Sequence, residues 1–162
     1  MTIAGSVLPE FDHEMATTRK VLERVPSAKG AWKPHPKSFA LGHLAQLVAR
    51  MPGWITLTLR QPELDLATYP GYSLETTLAL LADFDRNVRE ARAALAATSD
   101  ADLAANWTLR NGERVFMTMP RGPVVRTHIN HLVHHRAQLS VYLRLLDVPV
   151  PSIYGPTADE RI

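Results

Sequence analysis

Cysteine is absent from the 162-residue sequence, and this absence narrows the chemistry open to the protein. It excludes disulfides, thiolate zinc sites and a thiol nucleophile supplied by the chain itself. Any metal ion must therefore be bound through nitrogen and oxygen ligands.

Long apolar runs and clustered charge are also missing. No stretch approaches the roughly 20 apolar residues of a bilayer span, and residues 1–10 lack the pattern of a signal peptide. The 18 Lys and Arg are scattered among 16 Asp and Glu and form no basic stripe. These features predict a cytoplasmic protein that binds neither membrane nor nucleic acid. With 46% apolar and 21% charged residues, we expect residues 1–162 to form one domain.

Apolar residues recur at helical spacing in four segments of the chain. The predicted helices run over about residues 6–25, 38–59, 73–97 and 123–146, with Ser6, Ser38 and Ser73 as N-caps. Before the last helix, Asn111-Gly112 predicts a two-residue hairpin turn that sets Arg110 opposite Glu113 and Trp107 opposite Phe116. Four apolar stripes are buried most simply in an all-α four-helix bundle, with a small β-hairpin inserted before the last helix.

Four of the seven histidines fall within residues 128–135, on the last predicted helix. His131 and His135 are four residues apart, so their rings project together and can share one metal ion. Since two ligands alone bind weakly, His43 at the edge of the apolar face of the second helix is the candidate third ligand. Three imidazole nitrogens suit zinc or nickel, with iron, copper or manganese as alternatives, and leave positions open to water or substrate.

The neighbouring polar residues have less specific explanations. A lone histidine such as His43 is more often a hydrogen-bonded core residue than a metal ligand. His128 and His134 are candidates for a pH-sensitive interface or for hydrogen bonds to the ligands. Arg136 points into the apolar sector of its helix and needs a carboxylate or carbonyl partner there, which favours a structural clamp. Gln138 lies one turn beyond the histidines, where it can bond a ligand or finish a polar seam.

The remaining aromatic and acidic residues receive no catalytic assignment. Phe39, Trp54 and Trp107 are expected in the core. The irregular tail, residues 149–162, either carries Tyr154 or Asp159 across the site or docks and seals the core, and the sequence favours docking.

The last helix resembles that of the DinB-like superfamily of damage-inducible and thiol-transferase bundles. Its signature, His-x2-His-His-Arg-Gly-Gln, is matched here by His131, His134, His135, Arg136, Ala137 and Gln138, and Gly42-His43-Leu44 matches a second segment. Ala137 replaces the usual glycine and leaves the ligands untouched. The resemblance implies His43, His131 and His135 as the metal triad, and a homodimer. For some relatives it implies transfer of a low-molecular-weight thiol such as bacillithiol or mycothiol.

The leading functional hypothesis is therefore a DinB-like protein that binds a divalent metal ion. The reaction that the resemblance suggests for it is metal-dependent transfer of such a thiol onto electrophilic substrates, in stress or detoxification. A metal-bound thiol would be the nucleophile that the chain cannot supply. One alternative is a non-catalytic protein that uses the metal for stability or dimerisation. Another is a metal-dependent hydrolase or isomerase of small molecules. The sequence identifies no catalytic residue.

Overall fold

The computed structural model of the protein describes residues 2–73 and 75–161, which form a helical bundle and a small sheet. The helices are α1 (Ile3–Leu22), α2 (Leu41–Arg60), α3 (Thr77–Ala97), α4 (Asp100–Ala104) and α5 (Arg121–Leu145), and the strands are β1 (Glu63–Asp65), β2 (Asn106–Asn111) and β3 (Arg114–Pro120). Helices α1 and α2 each pack against both α3 and α5. The four long helices confirm the predicted bundle.

The core forms where the apolar stripes of the long helices meet. Phe11 of α1, Leu44 of α2, Phe84 of α3 and Leu139 of α5 are all at most 1% exposed. Burial of such side chains contributes about 1.5–3 kcal/mol each, so these stripes fix how the helices pack. Among the described residues, no helix has the length and hydropathy needed to cross a bilayer.

The helices begin at positions other than the predicted serine caps. Thr2, Ala40 and Thr76 precede α1, α2 and α3 in place of Ser6, Ser38 and Ser73. The Ala40 side chain cannot cap α2, and backbone carbonyls of the preceding connector accept the hydrogen bonds of its first turn instead. The carbonyl oxygens of Trp32 and Gly30 accept hydrogen bonds from the backbone nitrogens of Leu41 and Gly42, both at 2.9 Å. These bonds anchor the first turn of α2, where His43 lies.

The strands form one three-stranded sheet in the order β1-β2-β3, with β1 parallel and β3 antiparallel to β2. The sequence predicts the β2–β3 hairpin but neither β1 nor α4. The predicted pairs across the hairpin are wrong, since Arg110 faces Val115 and Trp107 faces Met119. The two turn residues are Gly112 and Glu113, one position later than the predicted Asn111 and Gly112. Gly112 has a φ of 57°, which suits the type of hairpin turn that has glycine at its first position. An irregularity between Leu109 and Arg110 shifts the register further.

Candidate metal centre

His131 and His135 lie one turn apart on α5, and their rings meet. The two Nε2 atoms are 2.9 Å apart and the ring centroids 4.7 Å apart. Two nitrogens that share one transition-metal ion at bond lengths of about 2.0–2.1 Å have a similar separation. The four-residue spacing therefore brings two imidazole donors to one point.

Gln138 determines which nitrogen of His135 carries the proton. Its Oε1 lies 2.7 Å from His135 Nδ1, and because an amide oxygen only accepts, Nδ1 donates and Nε2 keeps its lone pair. His131 Nε2 then donates to His135 Nε2. One proton thus lies between the two nitrogens, where a shared cation would bind. The Gln138 side-chain nitrogen also lies 3.1 Å from His134 Nε2, so Gln138 supports two histidines.

The pair is held in the form that binds metal ions. Burial is the main cause that lowers the pKa of His131, followed by the charges of His135 and His134. Burial also lowers the pKa of His135, although its hydrogen bond with Gln138 acts in the opposite direction. Both imidazoles are therefore uncharged at neutral pH, and an ion that displaces the proton between the two Nε2 atoms would meet two nitrogen donors.

His43 lies beside this pair, on α2. Its ring stacks between Phe39 and Tyr72, with centroid distances of 4.3 and 4.2 Å. Burial, then the charges of Lys33 and His135, lowers the pKa of His43. The Phe39 ring also lies 6.3 Å from the His135 ring. Phe39 therefore links His43 to the histidine pair.

Of the three predicted ligands, His131 and His135 are arranged as a metal ion requires. In residues 2–73 and 75–161, no three His, Cys, Asp or Glu side chains converge closely enough to hold an ion as they stand. His131 and His135 already meet as two ligands of one ion would. His43 is adjacent to them, uncharged at neutral pH, and stays the predicted third ligand.

A cleft of about 390 Å³ opens beside His135. Phe39, Val141 and Tyr142 form an apolar wall, and Lys37 adds a positive charge. Phe39 is 44% exposed in this cleft, contrary to its expected place in the core, because it packs against His43 rather than against the bundle interior. The volume suits a small molecule next to the histidines.

His128 lies on the same helix as the pair, but its ring is buried in the core and bonds to other partners. Its Nε2 lies 3.0 Å from the Thr58 hydroxyl, and the rings of Trp54 and Trp107 pack at 5.8 and 6.2 Å. Burial, followed by the charge of His131, lowers the pKa of His128 to about 4. His128 is therefore an uncharged histidine of the core.

Arg136, although within the histidine motif, points away from the cleft and is 1% exposed. Its Nη1 lies 2.6 Å from Glu14 Oε2 and donates to the Glu14 carbonyl and to Thr18 Oγ1, both at 3.2 Å. Tyr154 accepts from Nη2 at 3.0 Å and donates to Glu14 Oε1 at 2.7 Å. Arg136 thus has the carboxylate and carbonyl partners expected of a structural clamp. Tyr154 and Asp159 bond α1, α5 and the tail itself, so the tail docks away from the histidine pair.

Tyr72 is the residue at the site that the sequence does not indicate. It follows Pro70-Gly71, which predicts a turn and nothing about a partner. Its contact with His43 depends on how the segment between β1 and α3 folds back onto α2. No periodicity or motif could have shown that contact.

Comparison with known proteins agrees with this architecture. A family model described as the DinB family matches residues 4–161. The uncharacterized protein YrdA of Bacillus subtilis (strain 168) is 26% identical over 157 residues, which cover 94% of this chain and 89% of that protein.

Two crystal structures share the fold. A DinB-like protein from Bacillus cereus ATCC 10987 superposes with a TM-score of 0.70 at 24% identity, covering 91% of this chain and 95% of the other. The DinB-like protein YjoA from Bacillus subtilis gives a TM-score of 0.69 at 14% identity, covering 97% and 99%. At these identities the structures establish the fold and not the chemistry.

Proposed function

The chain belongs to the DinB family, and we propose that it binds one divalent transition-metal ion through His131 and His135, with His43 as the third ligand. The observation that supports this most is the 2.9 Å separation of the two Nε2 atoms, with Gln138 bonded to the outer nitrogen of His135. Metal-binding histidines in proteins are usually oriented by such an outer hydrogen bond. Nitrogen ligands of this kind suit zinc or nickel.

Replacement of His131 by alanine tests the proposal. We expect the affinity for Zn²⁺ or Ni²⁺, measured by competition with a chromogenic chelator, to fall by at least about 100-fold, because one of two assembled donors is lost. His13→Ala is the control, since it also removes one histidine, but from α1, where the ring stacks on Tyr154 of the docked tail. Equal affinities of His131→Ala and the wild-type protein would show that the histidine pair is not a metal site.

The cleft beside His135 favours thiol transfer as the reaction of this site. A cation held by His131 and His135 would stabilise the thiolate of a ligand thiol and so supply a nucleophile that this cysteine-free chain lacks. Phe39, Val141 and Tyr142 offer apolar contact to the carbon skeleton of a substrate, and Lys37 is placed to orient an anionic group. The thiol proton passes to solvent, the sulfur bonds to an electrophilic carbon of the substrate, and the displaced group leaves with its electron pair.

Water activation is less well supported, because no Asp or Glu of the described chain lines this cleft as a general base.

The same two variants test the thiol-transfer reaction. We expect metal-loaded wild type and His13→Ala, but not His131→Ala, to speed consumption of a low-molecular-weight thiol by a model electrophile. A rate that is identical in all three would leave a metal site with a non-catalytic role, as in a stress-related binding protein.

A further inference from the structure

The segment of residues 70–73, here called the strap, lies against α2 beside His43. Arg50 Nη1 donates to the carbonyl oxygens of Pro70 and Gly71 at 3.3 and 2.8 Å. Gln46, which is 3% exposed, accepts from the backbone nitrogen of Ser73 at 2.7 Å and donates to its hydroxyl at 3.2 Å. Two side chains of α2 therefore fix both ends of the strap.

The strap places Tyr72 on the ring of His43. The Tyr72 and His43 rings are 20° from parallel with centroids 4.2 Å apart, and Phe39 covers the other face at 4.3 Å and 20°. The Arg50 guanidinium lies 5.2 Å from the Tyr72 centroid, on that ring. Phe39, His43, Tyr72 and Arg50 thus form one layered stack.

Such a stack restricts the ring of His43 in a particular way. Both faces of the imidazole are covered, so only its edge, which carries the two nitrogens, stays open to a ligand. His135 is oriented by a hydrogen bond to Gln138, whereas His43 is oriented by contact on its two faces. A ring held in one plane loses less conformational freedom when it binds an ion.

We propose that Tyr72 is a positioning residue, which holds His43 in the orientation needed to complete the site of His131 and His135. This inference rests on the proposed function. Phe39 stacks on the opposite face of the His43 ring, but it also lies near His135 and lines the cleft. Its replacement would therefore alter several parts of the site. Tyr72 stacks on His43 alone among the three proposed ligands, which makes it the residue to test.

The test compares Zn²⁺ affinity, by chelator competition, in Tyr72→Ala, Tyr72→Phe and the control Leu66→Ala. Leu66 is 39% exposed and lies in the same connection between β1 and α3. We expect Tyr72→Ala to bind about 10-fold more weakly, in the range seen when groups that orient metal ligands are removed. Tyr72→Phe keeps the stack and should restore affinity, and Leu66→Ala should match the wild type. Tyr72→Leu, which fills the space without stacking, replaces the alanine variant if that variant does not fold.

A double variant separates positioning from a general structural effect. If Tyr72 acts through His43, then Tyr72→Ala has no further effect on affinity in a His43→Ala protein. A 10-fold loss that persists without His43, or a Tyr72→Ala protein that binds as tightly as wild type, overturns this inference while His131→Ala still reports on the metal site. No Zn²⁺ binding by the wild-type protein would overturn both proposals.

Discussion

Substitution of Arg136 by methionine is expected to lower the free energy of unfolding by about 3–5 kcal/mol, although the side chain touches no proposed metal ligand. Arg136 and Glu14 are 1% and 6% exposed, and Glu14 Oε2 has no hydrogen-bond partner besides the ion-pair contact with Nη1. Without the guanidinium, the carboxylate stays buried beside an apolar side chain. The loss reflects an uncompensated charge more than the removal of a favourable bond.

A surface pair on the same two helices provides the control for this prediction. Arg126 of α5 pairs with Glu10 of α1, but both side chains are largely exposed, at 47% and 37%. Arg126→Met should therefore cost no more than about 1 kcal/mol. Adding Glu14→Gln to Arg136→Met should recover a large part of the loss, because it removes the unpaired charge. Urea unfolding of the four proteins measures these values, and a loss for Arg136→Met as small as that of Arg126→Met would contradict the clamp.

The second large effect is a loss of stability in acid that depends on His128. The pKa of His128 is lowered from 6.5 to about 4, mainly by burial. The unfolded chain therefore takes up a proton at higher pH than the folded one. Stability is fully present above pH 6.5 and falls by about 3 kcal/mol as the pH approaches 4.

The variant His128→Gln isolates this contribution. Glutamine stays uncharged throughout, and its amide can pair with the Thr58 hydroxyl in place of the ring. His43, His131 and His135 also have lowered pKa values, so some acid sensitivity should remain in the variant. We expect denaturant unfolding across this pH range to show a shallower decline of stability for His128→Gln than for the wild-type protein. A slope in His128→Gln equal to that of the wild type would place the acid-sensitive group elsewhere.

The bundle could be predicted from sequence because the buried face of each long helix is marked by apolar residues at helical spacing. The helix ends could not, because they depend on contacts between distant segments, as the carbonyls of Trp32 and Gly30 at the start of α2 illustrate. The same is true of β1, whose three residues pair with β2 more than 40 positions along the chain. Helix α4 did leave a local sign, the capping box of Ser99 and Asp102, which a search for apolar periodicity passes over.

In the candidate site, too, the contacts within one helix could be predicted from sequence, whereas the contacts between distant segments could not. His131, His135 and Gln138 share one helix, so their spacing alone places them together. The need of Arg136 for a carboxylate followed from its position on the apolar face, but Glu14 as the partner follows only from how α1 packs on α5. Tyr72 contacts His43 because Arg50 and Gln46 hold the strap against α2, and none of these contacts has a periodic signature.

Anomalous diffraction from crystals soaked in Zn²⁺ or Ni²⁺, recorded at the absorption edge of the metal, is the most direct test of the metal site. We expect one dominant peak per chain within about 2.0–2.2 Å of the Nε2 atoms of His131 and His135, with a His43 nitrogen as the third ligand. A peak at His134 or elsewhere on the surface, with the 2.9 Å contact between His131 and His135 unchanged, would contradict it.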